Sequence, residues 1–288
     1  MSRSPTASVS AARTRASSSA ARTEAAGRIR VGVGGWTYAP WRGAFYPPDL
    51  PHKRELEYAS RHLTAIEVNG TFYRTQTRAS FARWHAQTPA GFVFALKGPR
   101  YATYRRVLAE AGDAVMRFIA SGVAALGEKL GPINWQFAPT KTFEPEDFAA
   151  FLRLLPRAVE GRRLRHAVEV RHPSFAVPEF VAMARALGVA IVTAVDCDYP
   201  QIADVTADFV YARIMGTNAR DEAGYAPKAL DRWAERCRVW AAGGEPADLA
   251  RIGGEAERVA RDVFLFVISG HKARNPAAAM GILQRLGL

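Results

Sequence analysis

Only two cysteines, Cys197 and Cys237, stand in 288 residues. That excludes a disulfide scaffold and a structural zinc site built from cysteines. No run of 18 or more apolar residues occurs, which excludes a membrane-spanning helix. The six histidines show no HxH, HExxH or other paired spacing, so the common histidine metal motifs are missing. Acid is scarce as well: 27 Asp+Glu face 39 Lys+Arg, a net charge of +12. Arg3, Arg13, Arg15, Arg22, Arg28 and Arg30 against Glu24 alone put +5 of that in the first 30 residues. The rest is a general surplus of arginine beside abundant alanine, a bias that GC-rich coding produces by itself. No dense basic run or zinc-finger spacing supports nucleic acid as the partner, so it is not favoured.

What is present is ordinary for a globular protein: 49% hydrophobic and 23% charged residues. The length suits one large α/β domain or two small ones. Residues 1–27 are Ser, Ala, Thr and Arg without apolar periodicity, which predicts a disordered tail ahead of a domain over 28–288. Such an Arg/Ser-rich start also fits a transit peptide. A secretory signal does not fit, because no apolar core follows the arginines, and cytoplasmic residence is the expectation.

From residue 29 onward, β-rich runs alternate with segments of helical period. The runs are 29–34, 64–69, 91–97, 130–137, 164–171, 189–196, 208–214 and 263–269. Helical spacing appears over 54–63, 78–87, 114–126, 145–155, 178–187, 229–240 and 276–286. Eight strands with intervening helices in about 260 residues predict a single-domain TIM-type (β/α)8 barrel. The sixth and seventh runs lie too close together for a full helix, so that connection is expected to be irregular. A Gly/Glu/Ala-rich insertion over 243–261 has no predicted form.

Strand alternation then predicts which side chains point inward. Ile66, Val68, Phe94, Leu96, Ile133, Trp135, Val168 and Val170 suit the outer face under the helices. That turns Glu67, Asn69, Ala95, Lys97, Asn134, Gln136, Ala167, Glu169 and Arg171 inward. Asp196, Tyr211, Arg213 and Ser269 follow on the last three strands. Barrel interiors are otherwise apolar, and active sites form at the C-terminal ends of the strands. The chain therefore concentrates expensive groups where a site is built. The structural alternative is a plug of paired charges, such as Glu67 with Lys97 and Glu169 with Arg171.

Gly34-Gly35-Trp36-Thr37-Tyr38, Trp41-Arg42-Gly43, Phe45-Tyr46-Pro47, the run from Glu67 to Arg74, Lys97-Gly98-Pro99-Arg100-Tyr101 and Glu169-Val170-Arg171-His172-Pro173-Ser174 resemble the YecE-like proteins, domain-of-unknown-function family 72. The resemblance runs from about residue 31 to the C-terminus and implies a TIM-type barrel. It implies no reaction. The barrel is similar to that of endonuclease IV and xylose-isomerase-like enzymes, as a fold analogy alone. Where many relatives read Arg-Leu-His-Gly after the seventh strand, this chain has Arg213-Ile214-Met215-Gly216.

The candidate catalytic groups are Glu67, Lys97, Glu169, His172 and Asp196. A carboxylate beside arginine stays ionised and can orient or accept a proton, and a strand-end lysine can serve as general acid. Nothing in sequence beside Lys97 points to strong desolvation. An anion is expected near Arg171, Arg213 and the loop Ser269-Gly270-His271-Lys272, with Asn69, Arg100 and Gln136 as further polar contacts. Trp36, Tyr38, Trp41 and Tyr73 make an aromatic mouth, either to stack on a ligand or to cap the barrel.

These features predict acid/base or hydrolytic chemistry, as a hydrolase or lyase, on a small phosphate- or carboxylate-bearing molecule. No organic cofactor and no metal are expected. The alternatives are a metal-dependent phosphoesterase or nucleic-acid-acting barrel, for which Glu67, Glu169, Asp196, His172 and His271 are the available ligands, and a non-catalytic ligand-binding barrel. Neutralising Glu169 or Lys97 is expected to cost little stability.

Overall fold

The computed structural model describes residue 1 and residues 26–288. The expected tail therefore lies outside the described residues, except at its two ends. Gly27 already belongs to the barrel: its N–H donates to the Ala241 carbonyl at 2.9 Å.

Eight parallel strands close the barrel: β1 (Ile29–Gly34), β2 (Ala65–Val68), β3 (Val93–Lys97), β4 (Leu130–Gln136), β5 (His166–Glu169), β6 (Ala190–Val195), β7 (Phe209–Ile214) and β8 (Asp262–Val267). They follow one another around the ring, and β8 closes on β1 through pairs such as Val31 with Leu265. The larger helices are α1 (Glu55–His62), α2 (Arg78–Gln87), α3 (Gly112–Ala120), α4 (Pro145–Leu154), α5 (Pro178–Leu187), α6 (Pro227–Ala241) and α7 (Asn275–Leu286). Pro145, Pro178 and Pro227 open α4, α5 and α6, at a position where a missing N–H costs nothing. No helix among the described residues is long and apolar enough to cross a membrane.

Strand side chains separate into two clusters, as alternation predicts. Val31, Val33, Ile66, Val68, Phe94, Leu96, Ile133, Trp135 and Val168 pack outward with the helices. Inside lie Ala65, Ala95, Ala167 and Ala190 on β2, β3, β5 and β6, with Phe209, Tyr211, Phe264 and Phe266 on β7 and β8. Mixing small and large residues lets layers of side chains fill a round interior.

Two connections differ from a regular barrel. The helix expected over 114–126 stops at Ala120, and the chain continues through Gly122 at φ +107° into 3₁₀ turns. A β-carbon on Gly122 would lie 2.5 Å from Cβ of Arg78 on α2, so neither the angle nor the space admits a side chain. Between β6 and β7 there is no helix, and the 243–261 insertion covers the gap. Buried Asp204 accepts the N–H groups of Ile252 and Gly253 at 2.8 and 2.7 Å. Glu245 accepts those of Val205 and Ala256 at 3.2 and 3.1 Å. Ile202, Val205 and Leu249 are buried in the same packing. Two carboxylates thus satisfy backbone donors that a helix would have satisfied internally.

On the outer face of β5, His166 accepts the Trp135 indole N–H at 3.1 Å, and its other ring nitrogen meets the Pro156 carbonyl at 2.7 Å. Burial disfavours the imidazolium and pushes the pKa from 6.5 down to about 4, against the pull of the Pro156 carbonyl. As pH falls, the unfolded chain takes up this proton first. Stability is therefore full above about 6.5 and lost toward 4, by about 3 kcal/mol. Urea unfolding of His166→Gln should show a flatter fall in stability across that window than the wild type. An equal slope would mean that His166 does not carry it.

Candidate functional site

The C-terminal end of the barrel holds one continuous buried network. Arg213 on β7 donates from one terminal nitrogen to Glu67 on β2 at 3.0 Å and from the other to Glu169 on β5 at 2.5 Å. The second Glu67 oxygen accepts the Tyr211 hydroxyl at 2.6 Å. Glu169 also accepts the Asn134 amide at 3.1 Å and two Arg171 nitrogens at 3.0 and 2.7 Å. Arg171 in turn lies 4.3 Å over the Tyr199 ring and donates to its hydroxyl. Glu67 and Glu169 are fully buried and Arg213 is 2% exposed.

Burial alone would raise the Glu169 pKa. The positive charges of Arg213, Arg171 and Lys97 overcome that and hold it down at about 2. The carboxylate is ionised at neutral pH, and four charge-assisted hydrogen bonds end on it. Neutralising Glu169 would weaken all four, so the geometry points to a larger cost than the sequence does. Arg213, for its part, is not placed to hold an anion: both terminal nitrogens are committed to carboxylates. The plug pairing is also revised, because Glu67 pairs with Arg213 and not with Lys97.

Lys97 stands apart. Its ammonium donates to neutral Gln136 at 2.5 Å and lies 4.4 Å from the centre of the Phe72 ring. It is 5% exposed. Burial, then the nearby Arg213 charge, lowers its pKa to about 8 despite the attraction of Glu67 and Glu169. The desolvation, invisible in the flanking sequence, comes from burial among groups on other elements, with Phe72 after β2 and Gln136 on β4 against the ammonium. The network and its neighbour thus combine three cations with two carboxylates, a surplus of one positive charge.

Beside it, Gly34, Tyr38, Trp41, Asn69, Tyr73, Ile268, Ser269, Lys272 and Asn275 enclose a cavity of about 190 Å³. Gly34 leaves room for two of these side chains. A β-carbon on it would lie 2.7 Å from the Asn69 amide nitrogen and 2.8 Å from Ile268. Lys272 holds its ammonium 5.0 Å from the centre of the Tyr38 ring, while its carbonyl accepts the Trp41 indole N–H at 2.7 Å. The aromatic mouth divides accordingly. Trp41 is 1% exposed, and Trp36 packs edge-on against Trp84 and Phe94, so these two cap the barrel. Tyr73 is 66% exposed, with the Arg100 guanidinium 5.7 Å over its ring. That pair remains open to a ligand.

Asp196, His172 and His271 stand outside both the network and the cavity beside it. Asp196 turns toward the loop after β7 and accepts the Tyr225 hydroxyl at 2.9 Å. His172 uses Nδ1 to accept the Ser174 N–H and cap the turn that follows β5. His271 is exposed, and its backbone N–H donates to the Thr217 carbonyl. Asp196 and Ser269 have φ of +60° and +36°. Backbone strain of this kind is often found at functional sites. Among the described residues, no three His, Cys, Asp or Glu side chains gather in a way that could hold a metal. Sequence reasoning left out Asn134 and Tyr211, whose inward parity was legible, and Tyr199, which carried no signal.

A (β/α)8 barrel with a buried ionic network at its C-terminal mouth defines a class of protein, not a reaction. Within that class, the chain belongs to the family described as "Protein of unknown function DUF72", whose model matches residues 30–288. Among solved structures it is similar to a DUF72 family protein (TM1631) from Thermotoga maritima, with 20% identity and a TM-score of 0.69 over 91% of this chain and 100% of that one. It is also similar to a DUF72 family protein (EF0366) from Enterococcus faecalis, with 16% identity and a TM-score of 0.65 over 92% and 100%. At these identities the likeness shows the fold. No match is found among the curated proteins.

Proposed function

We propose that the protein is an enzyme that performs acid/base chemistry on a small anionic substrate at the C-terminal mouth. Lys97 supports this reading most strongly. It is a nearly buried ammonium with a pKa lowered to about 8, hydrogen-bonded to a neutral amide and not to a carboxylate. A group that titrates near neutrality can both give and take a proton. The surplus positive charge favours an anion. Lys272 offers its contact, and Tyr73 with Arg100 a flat surface beside it. Glu169 and Gln136 act as positioning residues for Arg171 and Lys97.

A screen of phosphorylated and carboxylated small molecules tests this reading with wild type, Lys97→Met and Lys97→Arg. Turnover should fall by about 100-fold or more in Lys97→Met. The wild-type rate should show an ionisation near pH 8, displaced upward in Lys97→Arg. Turnover that survives in Lys97→Met, or no turnover of any compound, would reject it.

A further inference from the structure

The opposite, N-terminal end of the barrel contains a second charged cavity that the mouth chemistry does not use. Val31 and Val33 face outward, so Arg30 on β1 faces the interior. The same parity turns Arg165, just before β5, and Asp262 on β8 inward, because Ala167 and Phe264 are inner residues. Layers at this depth are ordinarily apolar. Here these side chains, with Arg28, Arg163 and Glu128, surround about 440 Å³, a volume typical of small-molecule sites.

The charges in it do not cancel. Arg165 donates to Asp262 at 2.8 Å, and Arg163 to Asp208 at 2.6 Å. Glu128 pairs with His85 at 3.1 Å. The other Asp262 oxygen accepts the backbone N–H of Arg28 at 2.9 Å. The guanidiniums of Arg28 and Arg30 have no carboxylate partner among the described residues. Arg30 reaches only the Ile29 carbonyl at 3.4 Å, and its Nε is buried without a partner. Burial, then the charge of Arg28, disfavours the cationic form of Arg30, against the attraction of Asp262. A plug built for stability would pair the half-buried Arg30, since taking a cation out of water without a counter-charge is costly.

We propose that this cavity binds the phosphoryl group of a small organic phosphate, held by Arg28 and Arg30. Planar guanidiniums suit the oxygens of a dianion, and Val93 and Leu130 provide an apolar wall for the rest of the molecule.

Calorimetric titration of the full chain with phenyl phosphate, at constant ionic strength, tests the site. Arg30→Met should weaken binding about tenfold or more, while Lys228→Met, an exposed change on α6 outside both the cavity and the mouth, should leave it within about twofold. Arg28→Met, an exposed change, should weaken it as well and serves if Arg30→Met does not fold. Benzoate should bind less tightly than phenyl phosphate. The proposal is overturned if phenyl phosphate does not bind, if binding survives both arginine substitutions, if Lys228→Met weakens it as much, or if benzoate binds equally well.

Discussion

Lys97→Met should be more stable than the wild type at pH 7, by about 2 kcal/mol. The folded chain holds this ammonium at a pKa of about 8 against 10.5 for a free lysine, a penalty of about 3 kcal/mol on the charged form. Losing the hydrogen bond to Gln136 returns about 1 kcal/mol. The pH dependence has a definite sign. Below about 8 both folded and unfolded chains are protonated, and the penalty is complete. Between 8 and 10.5 the folded chain releases its proton first, so wild-type stability should rise with pH while that of Lys97→Met stays flat from this source. Urea unfolding at pH 7 and pH 10 measures both effects. A less stable Lys97→Met at pH 7 would show that the lysine supports the fold. Combined with a loss of turnover, the gain would mark a residue that function retains against stability.

Arg213→Met should go the other way and cost about 3–5 kcal/mol, the usual penalty for leaving a buried charge without its partner. Glu67 and Glu169 both end on this guanidinium, so its loss leaves two buried carboxylates without their shared counter-charge. Adding Glu67→Gln to the same chain should recover part of the loss, because it removes one of the two. Urea unfolding of the single and double variants gives the coupling. An Arg213→Met protein as stable as the wild type would mean that the network contributes nothing to folding.

The barrel was legible because each strand carries its own period-two record: Phe94 and Leu96 go out, Ala95 and Lys97 go in. The short distance between Asp196 and Asp208 announced the missing helix. Partner choice across the interior was not legible. Whether Glu67 meets Lys97 or Arg213 depends on the stagger of strands far apart in the chain, which no single strand records. The desolvation of Lys97 was hidden for the same reason, since the groups against it, Phe72 and Gln136, come from other elements. The length of α3 was overread because Val123 and Leu126 continue the apolar pattern past Gly122, where the backbone leaves the helix. Arg30 was counted with the basic start of the chain, although its parity on β1 already turned it inward.

The staple over the helix-free connection has a consequence for the order of synthesis. Asp204 and Val205 leave the ribosome 40 to 49 residues before the carboxylate and N–H groups that complete them. During that interval the β6–β7 edge is uncovered: Ile202 and Val205 face water, and the Asp204 carboxylate has no donors to hold. A nascent chain that ends between residues 215 and 245 would therefore expose this apolar seam on a barrel that β8 has not yet closed. Chaperone capture and aggregation are greatest where apolar surface waits for a distant segment. In this protein that wait is written into the distance between the two halves of one clasp.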